Sequence, residues 1–279
     1  MRNGIKNLLS MAYPPMLSKL GGAKSIPILC YHSINSNPNN ECFPLSPEDF
    51  RAHLKYLSAN WNVVPLRDVL KHLIDGQPLP KKPVVLTFDD GYRDNFEVAL
   101  PILEEFKCHA TFFVVSGFIE GRVDLIGDPG WEAMSLKQLR IMDASEFAEV
   151  GAHTDTHAIL SELSNAKVLC ELKTCQSILQ GILGRSIDLF AYPFGQGKHI
   201  ASISPKLLTD LGFLGACSTF WRSTQSSGNL FLLNRIMVNQ DDNVELLNQK
   251  LNGRFDFIYF VHKSTALASV IFKKKGVWR

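Results

Sequence analysis

The chain has 279 residues, 46% of them hydrophobic, and its 29 Lys+Arg against 27 Asp+Glu leave a formal net charge of +2. That length and apolar content suffice for one sizeable core and exclude both a mini-protein and the polar, highly charged profile of a disordered chain. The near balance of charge lacks the basic excess of a nucleic-acid footprint, so no nucleic-acid partner is indicated.

Residues 1–25 read as an N-terminal extension: Asn7, Ser10, Pro14 and Pro15 interrupt any apolar run that could serve as a secretory signal. From Ile26 onward, β-branched apolar runs alternate with segments of helical period, the pattern of a β/α fold. Ile26–Tyr31 reads as a strand. Ser46 then caps a helix to about Ala59, with Pro47 in its first turn. A short strand at Asn62–Val64 and a helix over Leu66–Ile74 follow. The continuous apolar run Pro83–Phe88 suits a buried parallel strand, and Arg93–Phe106 reads helical. Next come a strand at Ala110–Val115, a helix from Ser135, a strand at Ala148–Ala152 and a long helix over Ala166–Leu183. Six or more βα units in this length favour a closed or nearly closed barrel in one domain over residues 26–253. Residues 254–279 read as a C-terminal helix and basic tail. Phe255–Phe272 is too interrupted by Asp256, His262 and Lys263 to span a membrane, and Lys273, Lys274 and Lys275 offer at most weak contact with a membrane surface.

The connection from Gly117 to Met134 is long for a βα loop and reads as a lid or substrate loop. Its Trp131 is either a sugar-stacking face or a hydrophobic plug over the barrel end. Six cysteines contain no CxxC pair and read as reduced. With the absence of a signal segment, they suggest a cytoplasmic protein, at most peripheral to the membrane.

Three motifs carry chemistry. Thr87-Phe-Asp-Asp-Gly-Tyr92 puts Asp89 and Asp90 at the end of a buried strand, where α/β barrels place their active sites; one carboxylate can bind a cation while the other moves a proton. His153-Thr-Asp-Thr-His157 also follows a strand. Two imidazoles and one carboxylate make a three-ligand divalent site with an open position for water. Phe190-Ala-Tyr-Pro-Phe-Gly195 holds its backbone through Pro193 and Gly195, so that its N–H groups can face a developing oxyanion. His32 closes the first predicted strand and lies on the same rim, as a proton donor or as a strand-end histidine tied to a neighbour. Cys30 shares its strand face, but a thiol inside a strand is expected to be buried and inert.

In this order the motifs resemble the polysaccharide deacetylases, the carbohydrate esterase group with the NodB-homology domain, over roughly Ile26–Val238. The resemblance implies an α/β fold, a distorted (β/α)7 TIM-like barrel, and metal-dependent removal of acetyl from an N-acetylated sugar of a glycan or glycan precursor. It implies Asp89 as catalytic base, Asp90, His153 and His157 as metal ligands, and the Phe194 N–H as oxyanion donor, with Tyr192 and Pro193 in the same turn. The ligand set points to zinc, although nickel, cobalt or iron would accept it. Two departures stand out. Ala191 occupies the position where many members have an Arg that braces the base, and Arg235 is our candidate replacement. The late Leu-x-His motif that supplies the general acid in many members is absent. Tyr31-His32 resembles the corresponding element of the poly-N-acetylglucosamine deacetylase branch, in which the acid histidine comes first, so His32 is expected to take that role. These departures keep two alternatives open: a catalytically inactive glycan-binding barrel, and a metal amidohydrolase acting on a non-sugar amide.

Overall fold

The computed structural model describes residues 24–36, 44–125, 131–200 and 203–259. In chain order the elements are β1 (Lys24–Ser25), β2 (Ile28–Tyr31), α1 (Pro47–Asn60), β3 (Asn62–Val63), α2 (Leu66–Asp75) and β4 (Pro83–Phe88). A π-turn at Asn95–Ala99 leads into α3 (Leu100–Phe106), then come β5 (Ala110–Val114), α4 (Ser116–Ile119), α5 (Leu136–Asp143), β6 (Ala148–Ala152) and α6 (Asn165–Leu183). The last third holds β7 (Leu189–Ala191), α7 (Gly197–Ile200), α8 (Pro205–Asp210), β8 (Gly215–Cys217), β9 (Thr224–Gln225), β10 (Ile236–Met237) and α9 (Val244–Leu251).

Seven strands run parallel in the order β10-β2-β4-β5-β6-β7-β8. One stretch of chain joins the two ends of this sheet. Leu233 pairs with Cys217 of β8, and three residues later Ile236 and Met237 pair with Leu29 and Cys30 of β2. The ring therefore closes through a single segment that leans first on one edge and then on the other, which makes the (β/α)7 barrel distorted. The strands are short and almost wholly buried: every residue of β2, β4, β5, β7 and β8 is inaccessible, as expected of strands covered on one side by helices and filled on the other by side chains. Stacked rings of Tyr31, Phe88 and Phe112 fill the space beneath α1, with Phe50 edge-on to the first two.

Local chemistry accounts for the boundaries. Ser46, Ser135, Ser164, Ser204 and Asn243 each cap a helix by accepting from a backbone N–H three residues on. The first predicted strand is shorter than expected because Pro27 has no N–H for the ladder; β1 instead pairs with β9 across the bottom of the barrel. The predicted helix over Arg93–Phe106 begins as a π-turn, with the Leu100 N–H reaching Asn95 O. Pro101 lacks the N–H that Glu97 O would take, which favours the wider register upstream. The N-terminal extension, the core of the expected lid at 126–130, and all but the first residues of the expected C-terminal helix lie outside the described residues.

Candidate active site

The C-terminal ends of the parallel strands meet at one mouth, and the residues singled out above gather there. β4 delivers Asp89 and Asp90. Asp90 turns at φ +79° and Gly91 at +91°, which aims the two carboxylates apart, and a Cβ at Gly91 would come within 3.0 Å of Val114. β6 delivers His153, and the turn behind it returns His157 to the same side, so that the two rings lie 5.0 Å apart.

Asp90, His153 and His157 converge. Asp90 Oδ1 is 3.6 Å from His153 Nε2 and 3.4 Å from His157 Nε2. This buried carboxylate oxygen has no hydrogen-bond partner among the described residues. Burial pushes both imidazoles down to about 4, so at neutral pH neither carries a second proton. The proton of His153 is accounted for: Nδ1 lies 2.7 Å from Ala191 O, which can only accept, and this leaves the Nε2 lone pair facing Asp90. Asp90 Oδ1 and His153 Nε2 thus face each other beside the part-buried His157 Nε2, an arrangement that a cation satisfies. The donor set fits a divalent metal, and these residues form a group able to bind one.

The other side of the mouth is an ion pair. Arg235, fully buried, donates to both oxygens of Asp89, Nη1 to Oδ1 at 2.6 Å and Nη2 to Oδ2 at 2.7 Å. Its remaining donors go to Ser218 O (2.9 Å) and Thr87 Oγ1 (3.2 Å). Burial alone would raise the Asp89 carboxyl, but Arg235, then His153 and His32, overcome it and hold Asp89 well below the usual carboxylate range. Arg235 lies between Leu233 and Ile236, on the segment that closes the barrel, so closure itself carries the guanidinium inward. Asp89 Oδ2 stands 3.9 Å from His153 Nε2, which places the braced carboxylate beside the metal-type cluster.

Cys30 Sγ donates to Asp89 Oδ2 at 3.5 Å, and burial pushes its thiol well up, so it is a neutral wall of the site and not a nucleophile. His32 follows it, half-buried on the rim. A ligand atom of each of Cys30, His32 and Asp89 lies within 4.8 Å of the others, so His32 belongs to the mouth. Its carbonyl accepts from Asn95 Nδ2 at 2.7 Å at the head of the π-turn. Asp94 beside it takes hydrogen bonds from Ser33 and Asn35, which ties down the loop after β2.

The third motif separates into parts with different surroundings. Phe194 adopts φ +58° with its ring 4.7 Å from that of His157, and its N–H takes no backbone carbonyl among the described residues. Thr219 presses on Gly195 so closely that a Cβ there would lie 2.6 Å from the Thr219 nitrogen, which fixes the turn. Pro193 holds the backbone ahead of Phe194. Tyr192, expected with the oxyanion turn, points into the core: it packs on Phe190 and spends its hydroxyl on Phe231 O at 2.9 Å. Trp131 is 8% exposed and packs 4.5 Å from Tyr92, beside Phe118, as a plug and not an open stacking face. Ser116, Arg122 and Glu171, which brace the His153–His157 turn, and Asn95 carry no motif signal; only the fold brings them to the site.

With this geometry in view, comparisons with known proteins agree. The profile of the polysaccharide deacetylase family matches residues 76–214. The chain belongs to the polysaccharide deacetylase family. It is 26% identical over 172 residues to the putative polysaccharide deacetylase YxkH of Bacillus subtilis, which it spans over 57% of that protein's length and 61% of its own. It is 25% identical over 224 residues to a poly-beta-1,6-N-acetyl-D-glucosamine N-deacetylase of Staphylococcus aureus, with 76% of this chain and 73% of the other covered. Among solved structures, the deacetylase PplD of Streptococcus pyogenes in complex with acetate superposes with a TM-score of 0.70 at 26% identity, covering 82% of this chain and 99% of that one. IcaB of Ammonifex degensii gives 0.69 at 25% identity, covering 82% and 97%. Members of this family are metal-dependent, in keeping with the Asp90, His153 and His157 group.

Proposed function

We propose that this family member is a metal-dependent carbohydrate N-deacetylase, a hydrolase that removes acetyl from an N-acetylated sugar of a polysaccharide or glycan precursor and releases acetate. The observation that carries the reading is the contiguity of two devices at one mouth: a cluster of one carboxylate oxygen and two imidazole nitrogens, and a carboxylate braced by a buried arginine 3.9 Å from it. Asp90, His153 and His157 would hold the metal, and zinc is the ion that two imidazoles and one carboxylate suit best. When bound, a divalent ion supplies Lewis-acid polarisation of the acetamide carbonyl and a water more acidic than bulk.

The protein's own groups divide the remaining work. Asp89 accepts the proton of the attacking water. Arg235 keeps it ionised and, by taking one bond on each oxygen, fixes the direction of its remaining lone pairs. The Phe194 N–H, held by Pro193 and the packed Gly195, donates to the oxygen that gains charge as the carbonyl becomes tetrahedral. His32, beside Asp89 at the mouth, protonates the departing sugar nitrogen, since an amide nitrogen leaves poorly without a proton. The Arg235 brace supports catalysis over a binding-only barrel, because it fills the role that Ala191 leaves open. Residues 26–253 are the unit we assign to this activity, in a cytoplasmic setting that the free state of Cys30, Cys108, Cys170, Cys175 and Cys217 supports; cell fractionation tests that setting.

The decisive experiment pairs metal analysis with acetate release from N-acetylglucosamine oligomers. The wild type should carry about one divalent ion per chain and release acetate, and the His153→Ala, His157→Ala double variant should do neither. Asp89→Asn should keep its metal and lose turnover. Full activity in Asp89→Asn, or acetate release that persists without metal, would remove this reading.

A further inference from the structure

The five-residue turn that carries both histidines has a backbone it would not choose alone. Thr154 sits at φ +66° and His157 at +57°, the left-handed region that β-branched residues in particular avoid. Two carboxylates outside the metal-type cluster hold it there through separate sets of partners. On one side, Glu171 of α6 reaches back to the turn: its Oε2 accepts from the N–H groups of Asp155 (3.0 Å) and Thr156 (2.9 Å), and its Oε1 from Thr156 Oγ1 (2.7 Å). On the other, the Asp155 side chain accepts from Ser116 Oγ (2.5 Å) and from Arg122 Nη2 (2.6 Å) and Nη1 (3.1 Å). The start of α4 completes this side. Ser116 N–H meets Thr154 O at 3.3 Å and Gly117 N–H meets Asp155 O at 2.8 Å, so closely that a Cβ at Gly117 would fall 2.6 Å from that oxygen.

We propose that Glu171 and Arg122 are positioning residues for the metal: a two-sided clamp that holds the His153–His157 turn in its ligating shape before an ion arrives. The inference rests on the metal-site reading above. Metal ligands must be held to a fraction of an ångström, and partners one step removed from a ligand typically change affinity by about 10–100-fold. Glu171 acts on the backbone between the histidines, where three donors converge on one carboxylate; Arg122 acts through Asp155. Neither side chain forms part of the three-ligand cluster, so each should alter how tightly the ion is held without changing which atoms hold it.

The test is zinc affinity of the full chain, measured by competition with a chromophoric chelator, beside circular dichroism and thermal melting of the metal-free proteins. Glu171→Ala should weaken zinc binding by about 10–100-fold and speed its release, while the metal-free variant keeps the spectrum and melting midpoint of the metal-free wild type. Glu171→Gln, which retains one acceptor oxygen for the turn, should recover part of the loss. Arg122→Ala should lose less, because Ser116 still holds Asp155, and the Arg122→Ala, Ser116→Ala pair should lose more than either alone. Zinc affinities within about twofold of wild type in Glu171→Ala and in the Arg122, Ser116 pair would overturn the clamp alone. So would a metal-free Glu171→Ala that no longer folds together with an Arg122, Ser116 pair of normal affinity. A wild type that takes up no zinc would overturn the metal-site reading and the clamp with it.

Discussion

On one side of the mouth, the three residues proposed to hold a metal come from two short motifs, each at the end of its own strand. The base side instead joins Asp89 to an arginine 146 residues further along the chain. The two sides also handle buried charge differently. His153 and His157 lose their charge to burial and stay neutral, whereas Asp89 keeps its charge because a buried guanidinium lies against it. A ligand cluster can tolerate desolvation, since a cation later supplies the missing charge; a proton acceptor needs a permanent partner. The metal side therefore depends on what binds to it, and the base side on the fold that closes around it.

The sharpest break between the two sides should come from exchanging a residue on each. His157→Ala should reduce metal affinity by more than about 100-fold, beyond the effect of a supporting partner, yet change the unfolding free energy of the metal-free chain by less than about 1 kcal/mol, since the ring is partly exposed. Arg235→Met should do the reverse. It leaves Asp89 as an uncompensated buried charge and should cost about 3–5 kcal/mol in denaturant unfolding, with the metal-type cluster intact. If Arg235→Met melts like the wild type, the ion pair does not close the barrel in the way described.

The His32 side can be separated from both. His32→Ala should lower acetate release by about 10²–10⁴-fold while metal content and stability stay near wild type, because a general acid contributes to the barrier and not to the ground state. A loss of metal in the same variant would place His32 on the ligand side.

These differences also decide what was legible in the sequence. Asp89, Asp90, His153 and His157 were readable because each closes an apolar run with a recognisable period, and the chain needs no tertiary information to bring residues one or four positions apart to one rim. The β strands up to Ala152 were readable for the same reason. The brace was a different case: Ala191 showed that an arginine was missing, and Arg235 could be named, but nothing local indicated that Leu233–Met237 would pair with β8 and then with β2. Strands of two or three residues, such as β8 and β10, are too short to show a period. Trp131 was ambiguous, and Tyr192 was placed with the oxyanion turn although its ring faces the core, because an aromatic beside a site motif has the same signature whether its ring faces substrate or core. Glu171 and Arg122 were invisible, since a charge on a helix or loop reads as solvated until the fold puts a turn beneath it.

Asp256 offers the smallest and most controlled sharpening of the comparison, because it is a second buried carboxylate on which an arginine, Arg222, exerts only the smallest of the lowering influences. Its oxygens accept from Ser223, the N–H at 2.9 Å and the hydroxyl at 2.7 Å. Burial dominates there and raises it from 3.8 to about 6, the opposite direction to Asp89. The sign follows directly. Between about pH 4 and 6 the folded chain retains a proton that the unfolded chain has released, so this group's contribution to stability is full below about pH 4 and lost as pH rises through about 6. Two units correspond to at most about 3 kcal/mol. Asp256→Asn, which keeps the shape and an acceptor for Ser223, should flatten that part of the stability profile and be at least as stable as wild type at pH 7. An unchanged slope between pH 4 and 6 would mean that the Ser223 donors and the weak Arg222 charge suffice to hold a buried carboxylate ionised here. Arg235 would then not be needed to explain the charge on Asp89, and its function would reduce to aiming the carboxylate.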